Sequence, residues 1–337
     1  MEHAFLAHVW ALLLALMLAM YVILDGFDLG IGVLSLFVSR SDYRRQMMAS
    51  IGAVWDANET WLVLAGGTLF GAFPAAYAVA CNALYIPIMV MLFGLVFRAV
   101  SLEFRAHSRH KRAWEAAFGL GSLLAVAGQG FTLGGVLSEI NVGAGGEFAG
   151  GPWDWLTPLS ALTFVAVGFG YVMIGGAYLI AKADGLMRRH VRTMVLVFAV
   201  VMFAAVAAVT ILLPILHDIF ARRWIKDPAR GFLYAFGVGA AFALVMILLS
   251  TRLARSRYLP FASCIVFFLL ALAGGLTAAY PYILPPSLRI VETASGTPTL
   301  IFMLVGIGPL IPLMLLYNLY LYRVFRGQAA QADEEYQ

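Results

Sequence analysis

The chain has 337 residues, of which 62% are hydrophobic and 12% are charged, and its mean hydropathy is +0.89. A soluble domain has about 25% charged residues, so a soluble globular fold is excluded and lipid must surround much of the protein. The net charge of +4 does not indicate nucleic-acid binding, because lysine and arginine in short loops orient membrane helices.

The first apolar run, residues 6–38, contains two acidic residues within the stretch LDGFDLGIG. No basic segment precedes the run and no small-residue cleavage pattern follows it, so we expect a retained helix rather than a signal peptide. Asp25 and Asp28 are three residues apart and therefore share one face of this helix. Gly26 and Gly30 form a G-x-x-x-G pair, which is typical of closely packed membrane helices.

The next two apolar runs, residues 51–74 and 77–101, also carry charges. In VWDANETW, Asp56 and Glu59 repeat the spacing of the first pair, and Arg98 lies near the end of the third run. If the helices alternate in direction, all of these charges fall in the cytoplasmic half of the membrane. The sequence therefore predicts that four carboxylates and one guanidinium meet there.

Nine segments are long and apolar enough to span a bilayer as helices, which requires about 20 residues each. They are residues 6–38, 51–74, 77–101, 114–138, 155–181, 193–217, 231–251, 258–281 and 298–322. The predicted fold class is an all-α integral membrane protein with nine transmembrane helices.

Basic residues collect in alternate loops, which places the N-terminus outside and the C-terminus inside the cell. The basic residues on the predicted inner side are Arg40, Arg44, Arg45, Arg105, Arg109, Lys111, Arg112, Lys182, Arg188, Arg189, Arg192, Arg252, Arg255, Arg257, Arg323 and Arg326. One loop disagrees, because residues 218–230 carry four basic residues on the predicted outer side.

A weak internal similarity suggests two related halves. AGGTLFGAFP at 65–74 and AGGLTAAYP at 273–281 both run outward and end in proline. We expect two pseudo-symmetric four-helix bundles, residues 1–138 and 139–281, followed by a peripheral ninth helix and cytoplasmic tail at 282–337. The alternative is a chance likeness between helix ends rich in alanine and glycine.

The sequence offers no evident cofactor site. Cys81 and Cys264 lie in apolar segments, which argues against a disulfide framework. The six histidines lie in loops or near helix ends, and no metal-binding or phosphate-binding motif is present. We expect no catalytic residue, no metal and no redox group bound by this chain.

The buried charges have two interpretations. Charges are expensive inside a membrane and usually mark proton or ion pathways. Alternatively, Arg98 pairs with a carboxylate and holds helices together. The sequence favours a proton pathway for Asp25 and Asp56, and it leaves both interpretations open for Asp28 and Glu59.

Three motifs resemble subunit II of the cytochrome bd-type quinol oxidases, including their cyanide-insensitive branch. They are DGFDLGIG at 25–32, WDANETWLVLAGGTLFGAFPAAYA at 55–78 and FR at 97–98. The resemblance implies a role for Asp25, Asp56 and Arg98 in carrying cytoplasmic protons to the oxygen-reducing site, and the depth of these residues had indicated the same three.

The resemblance also implies the partners. Subunit II is expected to bind no haem itself and to pair with a subunit I that holds two b-type haems and haem d and that oxidises quinol and reduces oxygen. The complex would be electrogenic without pumping protons, and it would lie in the bacterial inner membrane. A small single-helix accessory subunit and a structural quinone or lipid are further expectations. Two other functions remain open, a proton-coupled secondary transporter and a purely structural scaffold.

Overall fold

The computed structural model describes residues 1–183, 185–253 and 256–325. Arg255 and Arg326, which contributed to the predicted sidedness, lie outside these residues. The first half contains α1 (Glu2–Ser35), α2 (Ser41–Ile51), α3 (Trp55–Ala72), α4 (Pro74–Ala83), α5 (Tyr85–Phe104) and α6 (Lys111–Leu137). The second half contains α7 (Pro158–Lys182), α8 (Gly185–Leu216), α9 (Asp218–Ile225), α10 (Arg230–Leu253), α11 (Leu259–Ala279), β1 (Tyr282–Leu284), β2 (Leu288–Arg289), α12 (Ile290–Thr293), α13 (Thr297–Ile307) and α14 (Leu310–Val324).

The described part of the chain has eight helical spans that are long and apolar enough to cross a membrane, with α13 and α14 forming one of them. A ninth results if the bent pair α3 and α4 is taken as a single span. β1 and β2 form a small antiparallel hairpin. The prediction of an all-α integral membrane protein is therefore confirmed.

The second and third predicted spans differ from the structure. The second begins at Trp55 rather than at residue 51, because α2 forms a separate short helix before it. Helix α3 ends before Pro74, and α4 turns away from it by 120°. Proline has no N–H and disfavours helical geometry in the residue before it, which explains the break at this point. The third span therefore begins at Tyr85 rather than at residue 77.

Helices α1 and α7 form the centre of the bundle. Every residue from Asp25 to Ser35 on α1 is buried, as is every residue from Gly170 to Ala181 on α7. Glycine allows this close approach, because a Cβ atom on Gly30 would lie 1.7 Å from the Tyr171 carbonyl oxygen. The motif that carries the two acidic residues is therefore also the tightest helix contact with α7.

Two further G-x-x-x-G pairs, Gly67/Gly71 on α3 and Gly130/Gly134 on α6, differ from each other in their surroundings. Gly130 and Gly134 face the α7 backbone, where added Cβ atoms would come within 2.4 Å of Phe164 and 2.2 Å of Ser160. Gly67 meets no atom within 4 Å among the described residues. The close-packing explanation thus fits the α6 pair and does not extend to Gly67.

The division into two pseudo-symmetric bundles stays a prediction.

We expect Gly30→Ala to destabilise the protein by roughly 1–3 kcal/mol or more, because the new methyl group would overlap a backbone oxygen that cannot rotate away. The thermal unfolding midpoint of the purified protein in detergent measures the change. Gly237→Ala on α10 is the control, since its added Cβ would meet no described atom within 4 Å. Equal midpoints for the two variants would contradict the close contact between α1 and α7.

Candidate functional site

Arg98 on α5 is the centre of a buried charged cluster. Its side chain is fully buried and forms ion pairs with Asp25 on α1 and with Glu59 on α3, the latter at 2.7 Å between Nη2 and Oε2. The Trp55 ring lies beside the guanidinium, with its centroid 5.9 Å from Cζ. The Arg98 guanidinium thus pairs with two carboxylates from two other helices. The structure therefore brings Asp25 and Arg98 together, as expected from their predicted position in the same half of the membrane.

Asp28 is held differently from Asp25. It is fully buried, and its Oδ2 atom accepts a hydrogen bond of 2.8 Å from the Asn58 amide. The Asn58 Oδ1 atom in turn accepts a hydrogen bond of 2.9 Å from the Tyr322 hydroxyl on α14. Asp28 is therefore bound by a neutral network, whereas Asp25 is bound by a charged partner.

A second network of hydrogen-bonded side chains approaches Asp25 from α6 and α7. The Tyr171 hydroxyl donates to Gln129 Oε1 at 2.7 Å, and Gln129 Nε2 donates to the Tyr21 hydroxyl at 2.6 Å. Tyr21 precedes Asp25 by one helical turn and interacts with it electrostatically. Polar side chains, of which Gln129 is partly buried, therefore extend from α7 through α6 toward Asp25 on α1.

Asp56 does not join the buried cluster. Its side chain is exposed on α3, and its charge acts on Glu59 from one turn away. The expectation that all four carboxylates are buried together is therefore wrong for Asp56. Three residues along a helix correspond to a rotation of 300°, so Asp56 points about 60° away from Glu59.

Glu59 links the buried cluster to the surface of this chain. Its side chain is 25% exposed, whereas those of Asp25 and Arg98 are completely covered. The exposed stripe of α3 beside it consists of Asp56, Thr60, Val63, Gly67 and Phe70. A carboxylate, a hydroxyl and a glycine on one stripe are better suited to a protein neighbour or to water than to lipid.

The cluster lies near one end of the bundle. Glu59 is four residues inside α3, about 6 Å from its start, and Arg98 is six residues, about 9 Å, from the end of α5. Asp28 is seven residues, about 10 Å, from the end of α1. Because successive helices alternate in direction, these three helix ends lie at the same membrane face.

A buried acid at this face was missed by the sequence analysis. Glu115 on α6 is 2% exposed and accepts contacts from Arg105 at 2.9 Å, Arg44 at 3.2 Å and Ser41 at 3.1 Å. These contacts fasten α2 and the connection between α5 and α6 to the bundle. An acidic residue inside the apolar run 114–138 was the available signal.

The neutral members of the site, Asn58, Gln129 and Tyr322, were not among the site residues predicted from the sequence. Among the described residues, no group of three or more histidine, cysteine, aspartate or glutamate side chains has the arrangement needed to hold a metal ion. The arrangement that is present can bind and exchange protons among carboxylates.

The fold and the site together define a multi-pass helical membrane protein with ionisable side chains clustered inside its bundle. The family model described as cytochrome bd terminal oxidase subunit II matches residues 6–325. The chain therefore belongs to the family of subunit II of the cytochrome bd terminal oxidases.

Individual relatives match along nearly the whole chain. Cytochrome bd-I ubiquinol oxidase subunit 2 of Escherichia coli (strain K12) is 26% identical, covering 99% of this chain and 98% of the relative. Cytochrome bd ubiquinol oxidase subunit 2 of Bacillus subtilis (strain 168) is also 26% identical and covers 98% of both chains. In the structure of the bd oxidase from Geobacillus thermodenitrificans, one chain has the same fold, with a TM-score of 0.71 and 21% identity over 94% of this chain and 99% of that one.

Replacing Arg98 with leucine should destabilise the protein by about 3–5 kcal/mol, because two carboxylates lose their shared counter-charge inside the bundle. The thermal unfolding midpoint measures the effect. Arg40→Leu, which breaks an ion pair whose side chains are 60% and 64% exposed, is the control and should change stability by less than about 1 kcal/mol. Similar losses in both variants would contradict the central role of Arg98.

Glu115→Gln should loosen α2, because Arg44 and Arg105 lose the carboxylate that fastens them. We expect faster amide hydrogen exchange in Ser41–Ile51 with unchanged exchange in α7. Asp42→Asn, an exposed change within α2 itself, is the control. Unchanged protection of α2 in the Glu115 variant would contradict this role.

Proposed function

We propose that this chain is the haem-free second subunit of a quinol-oxidising, oxygen-reducing complex of the bacterial inner membrane. It supports a haem-bearing subunit I, which holds two b-type haems and haem d, and it helps to carry cytoplasmic protons toward the site of oxygen reduction. The quinol and oxygen chemistry belongs to subunit I, and this chain contributes no catalytic residue. Family membership supports this function over that of a secondary transporter.

The proton pathway is supported by the exposure of four acidic side chains, which decreases stepwise from the surface to the interior of the bundle. Asp56 lies on the surface, Glu59 is partly exposed, and Asp25 and Asp28 are fully buried. Neighbouring members interact electrostatically. A proton taken up at Asp56 would therefore have another carboxylate within electrostatic range at each step toward the buried pair.

The bonding of the buried acids is suited to this task. One oxygen of each buried acid is held by a neighbouring side chain, Oδ1 of Asp25 by Arg98 and Oδ2 of Asp28 by the Asn58 amide. Each acid can thus accept a proton on one oxygen while the other keeps the side chain in place. Arg98 retains its own proton and positions Asp25 and Glu59.

The proposed orientation places this site toward the cytoplasm, with the N-terminus periplasmic and the C-terminus cytoplasmic. Arg40, Arg44 and Arg105 lie in connections at the same membrane face as the acidic cluster, which supports that direction. The exposed stripe of α3 is the surface that we assign to contact with subunit I, since an exposed acid in this position requires a polar neighbour.

Two further partners are part of the proposal. A groove of about 260 Å³ lies between α3 and the α13–α14 span and is lined by Thr60, Val63, Leu64, Gly67, Thr68, Ile307 and Met314. Because this groove borders the stripe assigned to subunit I, its mainly apolar lining would accept the chain of a structural quinone or a lipid held between the two subunits. A small single-helix accessory subunit is also expected in the complex.

Asp56→Leu and Glu59→Gln should lower oxygen consumption of the purified two-subunit complex by about tenfold or more, because each removes a proton-accepting group. The visible haem spectrum should stay at the level of the unmodified complex, since both changes leave the partner's haems untouched. Glu59→Gln retains an oxygen that can accept a hydrogen bond from Arg98, so the contact between the two helices is kept. Loss of turnover in this variant would therefore indicate loss of proton transfer rather than loss of the helix contact.

Glu103→Gln, an exposed acid near the same end of α5, is the matched control and should leave turnover unchanged. Assembled Asp56 and Glu59 variants with normal turnover would rule out the pathway and favour the scaffold role. Loss of the haem spectrum together with turnover would likewise count against proton transfer and indicate failed assembly.

A further inference from the structure

The segment between α8 and α10 is the loop whose basic residues disagree with the predicted sidedness. Its helix α9 follows the end of one span at Leu216 and precedes the start of another at Arg230, so it lies at the membrane surface. Phe220 is 1% exposed and packs in a buried cluster with Leu213 and Leu233. The face of α9 that carries Phe220 is therefore covered by the protein, and the opposite face is exposed.

The free face of α9 carries two cations one helical turn apart. Arg222 and Lys226 are exposed, and no hydrogen bond or ion pair of either side chain is formed with the residues that the structure describes. Ile225 lies on the same face and is 63% exposed. Asp218 is also exposed there, but the segment as a whole has four basic residues and two acidic ones.

The other two basic residues of the segment are already engaged. Arg223 forms an ion pair with Asp227, and its Cζ atom lies 5.8 Å from the centroid of the Tyr280 ring. The Ala229 N–H and the Arg223 guanidinium hold the pKa of Asp227 below its ordinary value, so this pair stays charged near neutral pH. Arg230 donates to the Ile225 carbonyl at 2.6 Å.

The surroundings of the cationic pair are those of a lipid headgroup region. The Trp224 and Tyr234 ring centroids are 5.7 Å apart, and the Tyr234 hydroxyl donates to the Trp224 carbonyl at 2.7 Å. Tryptophan and tyrosine favour the level where headgroups meet acyl chains. Exposed Ile215 and Phe232, at 70% and 66%, provide an apolar border on the membrane side.

We propose that Arg222 and Lys226 bind the phosphate group of an anionic phospholipid, whose acyl chains lie against the apolar border that includes Ile225. Basic residues on an amphipathic helix attract anionic lipid, with favourable energy from each cation near the surface. This assignment gives two of the four basic residues in the loop at 218–230 a role that does not depend on the direction in which the chain is inserted.

Native mass spectrometry of the purified two-subunit complex, titrated with phosphatidylglycerol or with phosphatidylcholine, tests the proposal. We expect phosphatidylglycerol to bind preferentially and the double variant R222Q/K226Q to weaken its binding by about tenfold or more. The double variant R40Q/R289Q is the matched control, because it removes the same charge from exposed residues outside α9 and should leave binding unchanged.

Three results would overturn the proposal. The first is equal binding of the two lipids, and the second is an equal loss of phosphatidylglycerol in the α9 variant and the control. The third is loss of a bound protein, rather than lipid, from the α9 variant, which would show that a protein covers this face. A normal thermal unfolding midpoint for the α9 variant verifies that it is folded.

Discussion

The central physical constraint in this protein is the placement of the Arg98 guanidinium inside an apolar bundle. An arginine in a membrane-spanning helix is costly unless it is paired, and here the partners come from two other helices. The pairing requires α1, α3 and α5 to meet with defined rotations. The glycines of α1 are part of the same constraint, because they bring Asp25 and α7 close enough to exclude lipid from one side.

The sequence could predict the features that depend on local composition. Long apolar runs predicted the helices, and charges within such runs predicted Asp25, Asp28 and Arg98 as members of a buried site. Family motifs in the first hundred residues indicated Asp25, Asp56 and Arg98, of which Asp56 is exposed and lies outside the buried cluster. Hydropathy could not predict where the third span begins, because residues 74–101 are apolar on both sides of the break between α4 and α5 at Leu84.

The remaining features depend on contacts between distant segments. The spacing of Asp56 and Glu59 placed them on roughly the same face, but a rotation of about 60° decides which one reaches Arg98 and which one stays exposed. Asn58 and Tyr322 are 264 residues apart, and neither carries a charge that would attract notice in an apolar sequence. Gln129 likewise gains its importance from two tyrosines on other helices.

The two buried acidic clusters of this face differ in a way that bears on function. Both oxygens of Glu115 are engaged by two arginines and a serine, an arrangement that is suited to fastening segments. In the Arg98 cluster, the carboxylates of Asp25, Asp28 and Glu59 outnumber the one cation. We therefore interpret the Glu115 cluster as a fastening between segments, and the Arg98 cluster, which is reached from the surface through Glu59, as the site of the proposed proton transfer.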